Sequence, residues 1–214
     1  LFHTYRFRDL KSFYLGYVCI HMKKEFTKTL SYNRFVERQS QVGIQLLLFL
    51  QTCSLGKCTG ISIIDSTPLV ACHIKRERSH KTMKGWAEKG KCTMGWFYGF
   101  KLHLVINDKG EIIQWRLTSG NVDDREPLKD KTFTERLFGK LFADRGYISQ
   151  ELFETLFVDD IHLVTKIKRN MKNSLMSVAD KICLRKRALI ETVNDELKNI
   201  AQIEHSRHRS FNNF

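Results

Sequence analysis

The sequence predicts an α/β protein, a mixed sheet flanked by helices, behind an N-terminal helical segment. Two observations carry this reading. Beyond residue 60, short apolar runs and helix-like stretches follow the order strand, strand, strand, helix, strand, helix, strand, helix, which favours a mixed sheet over an all-β barrel. Before that point the chain reads as helices alone. The 214 residues, 42% of them hydrophobic, suffice for one sizeable core and a smaller helical appendage. The expected division is residues 1–58 for the helical segment and 59–214 for the main domain.

Taken in order, residues 9–27 are expected to hold a helix, and "YNRFVERQSQVGIQLLLFLQTCS" another, with Ser31 placed to cap it. These helices are expected to pack against the main core or to contact DNA; no groove-reading pattern marks a helix-turn-helix. "GISIID" is a strand ending at Asp65. The segment from residue 73 to 91 carries seven Lys or Arg against two Glu and reads as an exposed basic excursion, because it lacks a sustained apolar stripe. Phe100, Leu102, Leu104 and Ile106 alternate on one face of a strand, and Asn107-Asp108-Lys109-Gly110 turns it into a second arm, "EIIQWRLTS". "NVDDREPLKDKTFTERLF" starts with carboxylates and becomes helix-like. "KLFA" is a short strand ahead of Asp144, followed by a helix near 149–157 and the strand "IHLVTKI". A last helix begins near Leu184.

Lys and Arg number 36 against 23 Asp and Glu, a formal charge of +13. Such an excess points to a polyanionic partner. A membrane-spanning helix is not expected: the longest apolar run, "VGIQLLLFLQ", has about half the required length. The six cysteines are too dispersed to require a disulfide scaffold and read as reduced thiols. The chain opens on Leu1 and ends in "SRHRSFNNF", so further residues are expected at both ends, as in a truncated copy of a longer protein.

The last helix carries the sharpest pattern. Leu189, Ile190, Val193, Leu197 and Ile200 form an apolar stripe. At about 100° per residue, Arg187, Glu191, Asn194 and Lys198 share a sector on the other side. Taken alone this is a solvated charged face with an Arg187–Glu191 pair, worth only a few tenths of a kcal/mol. Asp65 and Asp144, however, each end an expected strand, where α/β sheets form ligand crevices. Three carboxylates brought together repel one another unless cations are present. Hard oxygen donors suit Mg²⁺ or Mn²⁺, and a pair of such ions serves in-line phosphoryl transfer. The positive surface agrees with a DNA backbone approaching an acidic centre.

With these residues in view, the sequence resembles the DDE transposases of bacterial insertion sequences. The likeness rests on "GISIIDSTPL", "MGWFYGFKLHLVINDKGEIIQWRLTSGNVDDREPL", "LFADRGYIS" and "RALIETVNDELKNIAQIEHSRHR". Arg187, Glu191 and Lys198 match the spacing of a signature in which Tyr, two residues, Arg, three residues, Glu, six residues and Lys or Arg follow one another; Leu184 stands at the Tyr position. The resemblance implies an RNase H-like fold for 59–214, with Asp65, Asp144 and Glu191 as catalytic and metal-binding residues. It further implies two Mg²⁺ or Mn²⁺ ions and double-stranded DNA as partner, both terminal repeats and target. Arg187 and Lys198 are then DNA contacts, and the working form is a homodimer or larger DNA-bound assembly in the bacterial cytoplasm. The implied chemistry is hydrolysis at the transposon end, then attack of the freed 3′-hydroxyl on target DNA. The alternatives are an RNase H-like nuclease without strand transfer and a catalytically inactive, transposase-derived DNA-binding protein.

Further residues join the expected site. Arg145 is placed to hold phosphate beside Asp144, and Gly146 to release the strand into its turn. Lys81 and Lys84 offer DNA contacts from the basic excursion. Asp123 and Asp124 are auxiliary carboxylates, with helix capping the plainer role. His103 reads as structural or surface-exposed. Trp96 and Trp115 read as core residues because both border apolar strands, with base stacking as the other role for them and for Trp86.

Overall fold

The computed structural model describes residues 1–2, 4–26, 28–166 and 176–204. The basic cluster His205, Arg207, His208 and Arg209 and the end of the expected strand at Ile167 lie outside them. The chain divides into two units, residues 55–196 and a second formed by 1–54 with 197–214.

In the smaller unit, α1 (Leu10–Phe13) runs through a π-helical stretch, Tyr14–Val18, into α2 (Cys19–His21). Asp9 caps α1 by accepting from the Ser12 amide at 2.8 Å. The second expected helix is two: α3 (Tyr32–Gln41) and α4 (Gly43–Cys53), broken at Val42. Ser31 caps α3 at the Arg34 amide. Tyr14 stacks on Phe35 with ring centroids 4.1 Å apart and donates its hydroxyl to the Leu30 carbonyl at 2.7 Å. Ile44, Leu46, Leu48 and Phe49 of α4 remain exposed.

The larger unit is a six-stranded sheet. Its strands are β1 (Ile61–Cys72), β2 (Glu88–Cys92), β3 (Gly95–Asn107), β4 (Ile112–Ser119), β5 (Gly139–Ala143) and β6 (Ile161–Thr165). β3 is the central organiser. One of its edges pairs with β1, antiparallel, and the other with β2 and then β4 in succession. β5 lies parallel to β1, and β6 parallel to β5. The order is therefore β4–β3–β1–β5–β6, with β2 end to end with β4.

The hairpin from β3 to β4 follows from its turn. Asn107 Oδ1 accepts from the amides of Lys109 and Glu111, each at 3.0 Å, and Gly110 takes φ +87°, a conformation glycine adopts at no steric cost. One sheet face is closed by α5 (Lys131–Thr134) and α6 (Gln150–Val158). Ile64, Val105 and Ile113 meet Leu128, Phe133, Leu152 and Leu156 there in a dry core. α7 (Val178–Lys186) and α8 (Ala188–Asp195) follow β6, and α8 lies on β1.

Three expectations change. First, β1 does not stop at Asp65 but runs to Cys72, because β3 pairs with it as far as Cys72. Pro68 is tolerated because β5 pairs only with Ile61–Ile63, leaving that stretch of β1 with one neighbour. Second, the basic excursion is not wholly loop: its end is edge strand β2. Gly90 makes that pairing fit, since a Cβ there would collide with the Gly120 carbonyl. Buried Met83 and Ala87 fasten the turn before it. Third, the last helix begins at Val178 and is interrupted at Arg187, so α7 and α8 are separate; a π-helical stretch, Glu196–Ile200, continues beyond α8.

Candidate active site

Asp65 is placed by the fork between β1 and β5. The parallel ladder pairs Ile63 with Phe142 and ends there. Two residues farther along each strand stand Asp65 and Asp144, on either side of the opening crevice. The fork brings them together although 79 positions separate them in sequence (144 − 65). Asp144 turns its carboxylate back to accept from the Arg145 amide, capping the tight turn Arg145–Tyr147.

α8 supplies the third side. Its buried positions are Ile190 and Asn194, one helical turn apart. The Asn194 side chain donates from Nδ2 to Asp65 Oδ2 at 3.3 Å. Asn194 Oδ1 is buried without a hydrogen-bond partner. At the break between α7 and α8, Arg187 forks two carboxylates: Nη1 lies 3.6 Å from Asp65 Oδ1, and Nη2 3.3 Å from Glu191 Oε1. Arg187 is mostly covered, with 19% of its side chain exposed, whereas Glu191 is 61% exposed. The polar sector read from the helix wheel is thus split: Arg187 and Asn194 face the sheet, and Glu191 faces outward between them.

Asp65 shows the electrostatics of this arrangement. Burial drives its pKa up to about 6; Arg187 and the Ser66 amide pull it down, and Asp144 and Glu191 push it up. Both other carboxylates are therefore felt at Asp65. Beneath it, on the opposite sheet face, the buried Tyr147 hydroxyl makes no hydrogen bond of good geometry. Burial raises its pKa well above 10, helped by Asp124 and Asp65.

The donor set fits a hard divalent cation in kind: three carboxylates from three elements, coupled electrically, with water access from the Glu191 side. Among the described residues, no group of three His, Cys, Asp or Glu is drawn close enough to grip one ion. Arg187 occupies the space between two of the three acids.

The remaining expected residues differ in exposure and partners. Arg145, Lys81 and Lys84 are exposed. Lys198 lies beyond α8, in the smaller unit, and pairs with Glu204 at 3.7 Å. Asp123 is held by Arg125 at 2.8 Å, which keeps its pKa well below the usual carboxylate range. Asp124 accepts from Lys101 Nζ at 2.9 Å. His103, placed by the sequence on a surface hairpin or in a structural role, is fully buried, with Nε2 2.8 Å from Thr118 Oγ1. Trp96 is corrected outright. It is 59% exposed on β3, with Lys89 and Lys91 Nζ at 5.0 and 5.7 Å from its ring centroid. Alternation on an edge hairpin does not imply burial, and Trp96 lies opposite Lys91 of edge strand β2. Asn194 was visible in the polar sector, but only its contact reveals it as the partner of Asp65.

The sheet order and flanking helices define an RNase H-like domain. Residues 55–211 match the family profile described as Transposase DDE domain, and the chain belongs to that family. Among solved structures it is similar to a piggyBac transposase in a synaptic complex with hairpin DNA, at 12% identity and a TM-score of 0.43. That match covers 68% of this chain and 31% of the other, so the chain spans about a third of the piggyBac protein. No curated protein matches the chain.

Proposed function

We propose that this chain is the catalytic domain of a DNA transposase, acting on phosphodiesters through Asp65, Asp144 and Glu191. The observation that carries the reading is the pairing of the β1–β5 fork with α8: two acids flank the fork and a third approaches from the helix. Two Mg²⁺ or Mn²⁺ ions held by these residues would activate the attacking hydroxyl and stabilise the leaving oxygen.

The chain's own groups do the rest. Asn194 holds one oxygen of Asp65 and leaves the other to Arg187. Arg145, Lys81 and Lys84 offer exposed cations to the DNA backbone, and such contacts make binding fall steeply with salt. The first step breaks a P–O bond at the element's end with water as nucleophile, releasing a 3′-hydroxyl. In the second, that hydroxyl attacks a target phosphodiester and expels a target 3′-oxygen. Neither step needs a protein nucleophile, and none of these residues is asked to be one. Both DNA ends must meet the same chemistry, which is the reason to expect a homodimer or larger assembly on DNA.

A second reading has its own observation. Arg187 already neutralises two of the three acids, as suits a DNA-binding relative without chemistry. End-labelled terminal-repeat DNA, incubated with Mg²⁺ or Mn²⁺, separates the two. The proposal expects cleavage by the parent chain and its loss in folded Glu191→Gln and Asp144→Asn. A folded parent that binds but never cuts supports the non-catalytic reading. Cutting without joining to target DNA supports a nuclease.

A further inference from the structure

We infer that Arg187 is an exchangeable counter-ion of the acidic centre, held between Asp65 and Glu191 until DNA draws it away, so that DNA binding and cation loading are coupled. The inference rests on the proposed metal-centred reading and adds to it a device within this chain.

Geometry is the ground for it. One guanidinium reaches both acids, at 3.6 and 3.3 Å, through different nitrogens. A planar fork suits this bridging role, and a lysine ammonium would not reproduce it. Neither distance is that of a tight bidentate pair, about 2.7–2.9 Å for a charge-assisted bond. The contact therefore has the marks of loose neutralisation more than of a locked structural bridge. Arg187 stands at the interruption between α7 and α8, where Arg187 itself serves as C-cap of one helix and N-cap of the next. A side chain at such a joint can swing without disturbing a continuous helix face. No other cation is paired with Asp65 or Glu191 among the described residues, whereas Asn194 holds Asp65 independently of Arg187. Asp65 thus keeps a fixed orientation when the guanidinium leaves.

The consequence is a competition. A divalent cation entering between Asp65 and Glu191 meets a resident positive charge, and the two cannot share the space. A DNA phosphate competes for the same guanidinium from outside. Phosphate capture of Arg187 exposes the acids to the cation, and cation binding frees Arg187 for phosphate. By linkage the two effects are equal in size.

The test uses the whole chain and reads binding. Mn²⁺ titrations of DNA-free protein, followed by the loss of the free-ion paramagnetic resonance signal, give the affinity directly. Arg187→Gln is expected to bind Mn²⁺ about 10-fold tighter than the parent, within the usual range of such couplings. Arg187→Lys should fall between the two and carries the test if the Gln variant does not fold. A second arm measures DNA affinity in chelator. Glu191→Gln and Asp144→Asn each remove one negative charge from the centre, but only Glu191 holds Arg187. Glu191→Gln should therefore strengthen metal-free DNA binding at least about 3-fold more than Asp144→Asn, which is about 0.65 kcal/mol. Unchanged Mn²⁺ affinity in folded Arg187 variants, or equal gains from the two acid variants, overturns the inference while leaving the metal centre standing. If neither parent nor variants bind Mn²⁺, the inference and the metal-centred reading fall together.

Discussion

Asp65 and His103 sit on adjoining strands, one register position apart and on opposite faces of the sheet. Burial acts on both against the charged form, and so moves their pKa values in opposite directions. Asp65 rises to about 6, with Arg187 opposing the rise and Asp144 and Glu191 adding to it. His103 falls to about 4; Asp124 opposes the fall while Lys101 and Arg116 add to it. The difference lies in what can reach them. His103 is closed in behind Thr118, whereas Asp65 faces a crevice with the Arg187 guanidinium beside it. Burial alone makes an inert histidine; burial beside an open fork makes a carboxylate that gains from a cation.

The largest effect should come from breaking the open side. Asp144→Asn and Glu191→Gln should each slow cleavage of terminal-repeat DNA by at least about 10³-fold, equivalent to about 4 kcal/mol of barrier, with circular dichroism confirming a native fold.

The closed side should show next, as acid sensitivity. With its folded pKa below the ordinary 6.5, His103 contributes stability that is present above pH 6.5 and lost as pH falls toward 4. The linkage value of that drop is about 3 kcal/mol. In urea denaturation, His103→Gln should gain stability relative to the parent progressively as pH falls from 6.5 to 4.

Asp65 works with the opposite sign. Its folded pKa is raised from 3.8 to about 6, so its contribution is present below pH 3.8 and lost as pH rises through 6. Asp65→Asn should therefore stabilise the metal-free protein above pH 6 by up to about 3 kcal/mol, with no gain below pH 3.8. Between roughly pH 4 and 6 the two residues offset each other in the parent, and each variant exposes the slope of the other. A parent profile that matches both variants would remove the comparison altogether.

Smallest is the surface effect. Trp96→Ala should weaken single-stranded DNA binding about 5-fold, close to 1 kcal/mol, the low end for a stacked base. The slope of affinity against salt should stay unchanged, because no phosphate contact is lost.

Much of the fold was legible because its signals are local. The alternation from Phe100 to Ile106, the Asn107–Gly110 turn and the Ser31 cap are short-range patterns, and the structure keeps them. What failed depended on partners distant in sequence. Asp65 read as a strand end, yet β3 holds β1 in extended form beyond Pro68. Glu88–Cys92 offered no apolar alternation and became a strand only because Gly95–Gly99 pairs with it. The text from Leu184 to Ile200 implied one helix, but the helix breaks at Arg187 and turns π-helical from Glu196, and Ile200 is 62% exposed. At the site, the acidic residue types were readable, unlike the fork, which is set by where the β1–β5 pairing ends. That Asn194 and Arg187 turn toward Asp65 was not, since a helix wheel shows which residues share a side and not what that side meets.

The fork between β1 and β5 has a consequence for synthesis. Asp65 meets Asp144 only after 79 further residues have emerged (144 − 65), and Glu191 follows another 47 later (191 − 144). Pairings of such long range form late, after the local hairpin. A growing chain therefore holds both sides of the fork before the helix that carries Glu191 exists.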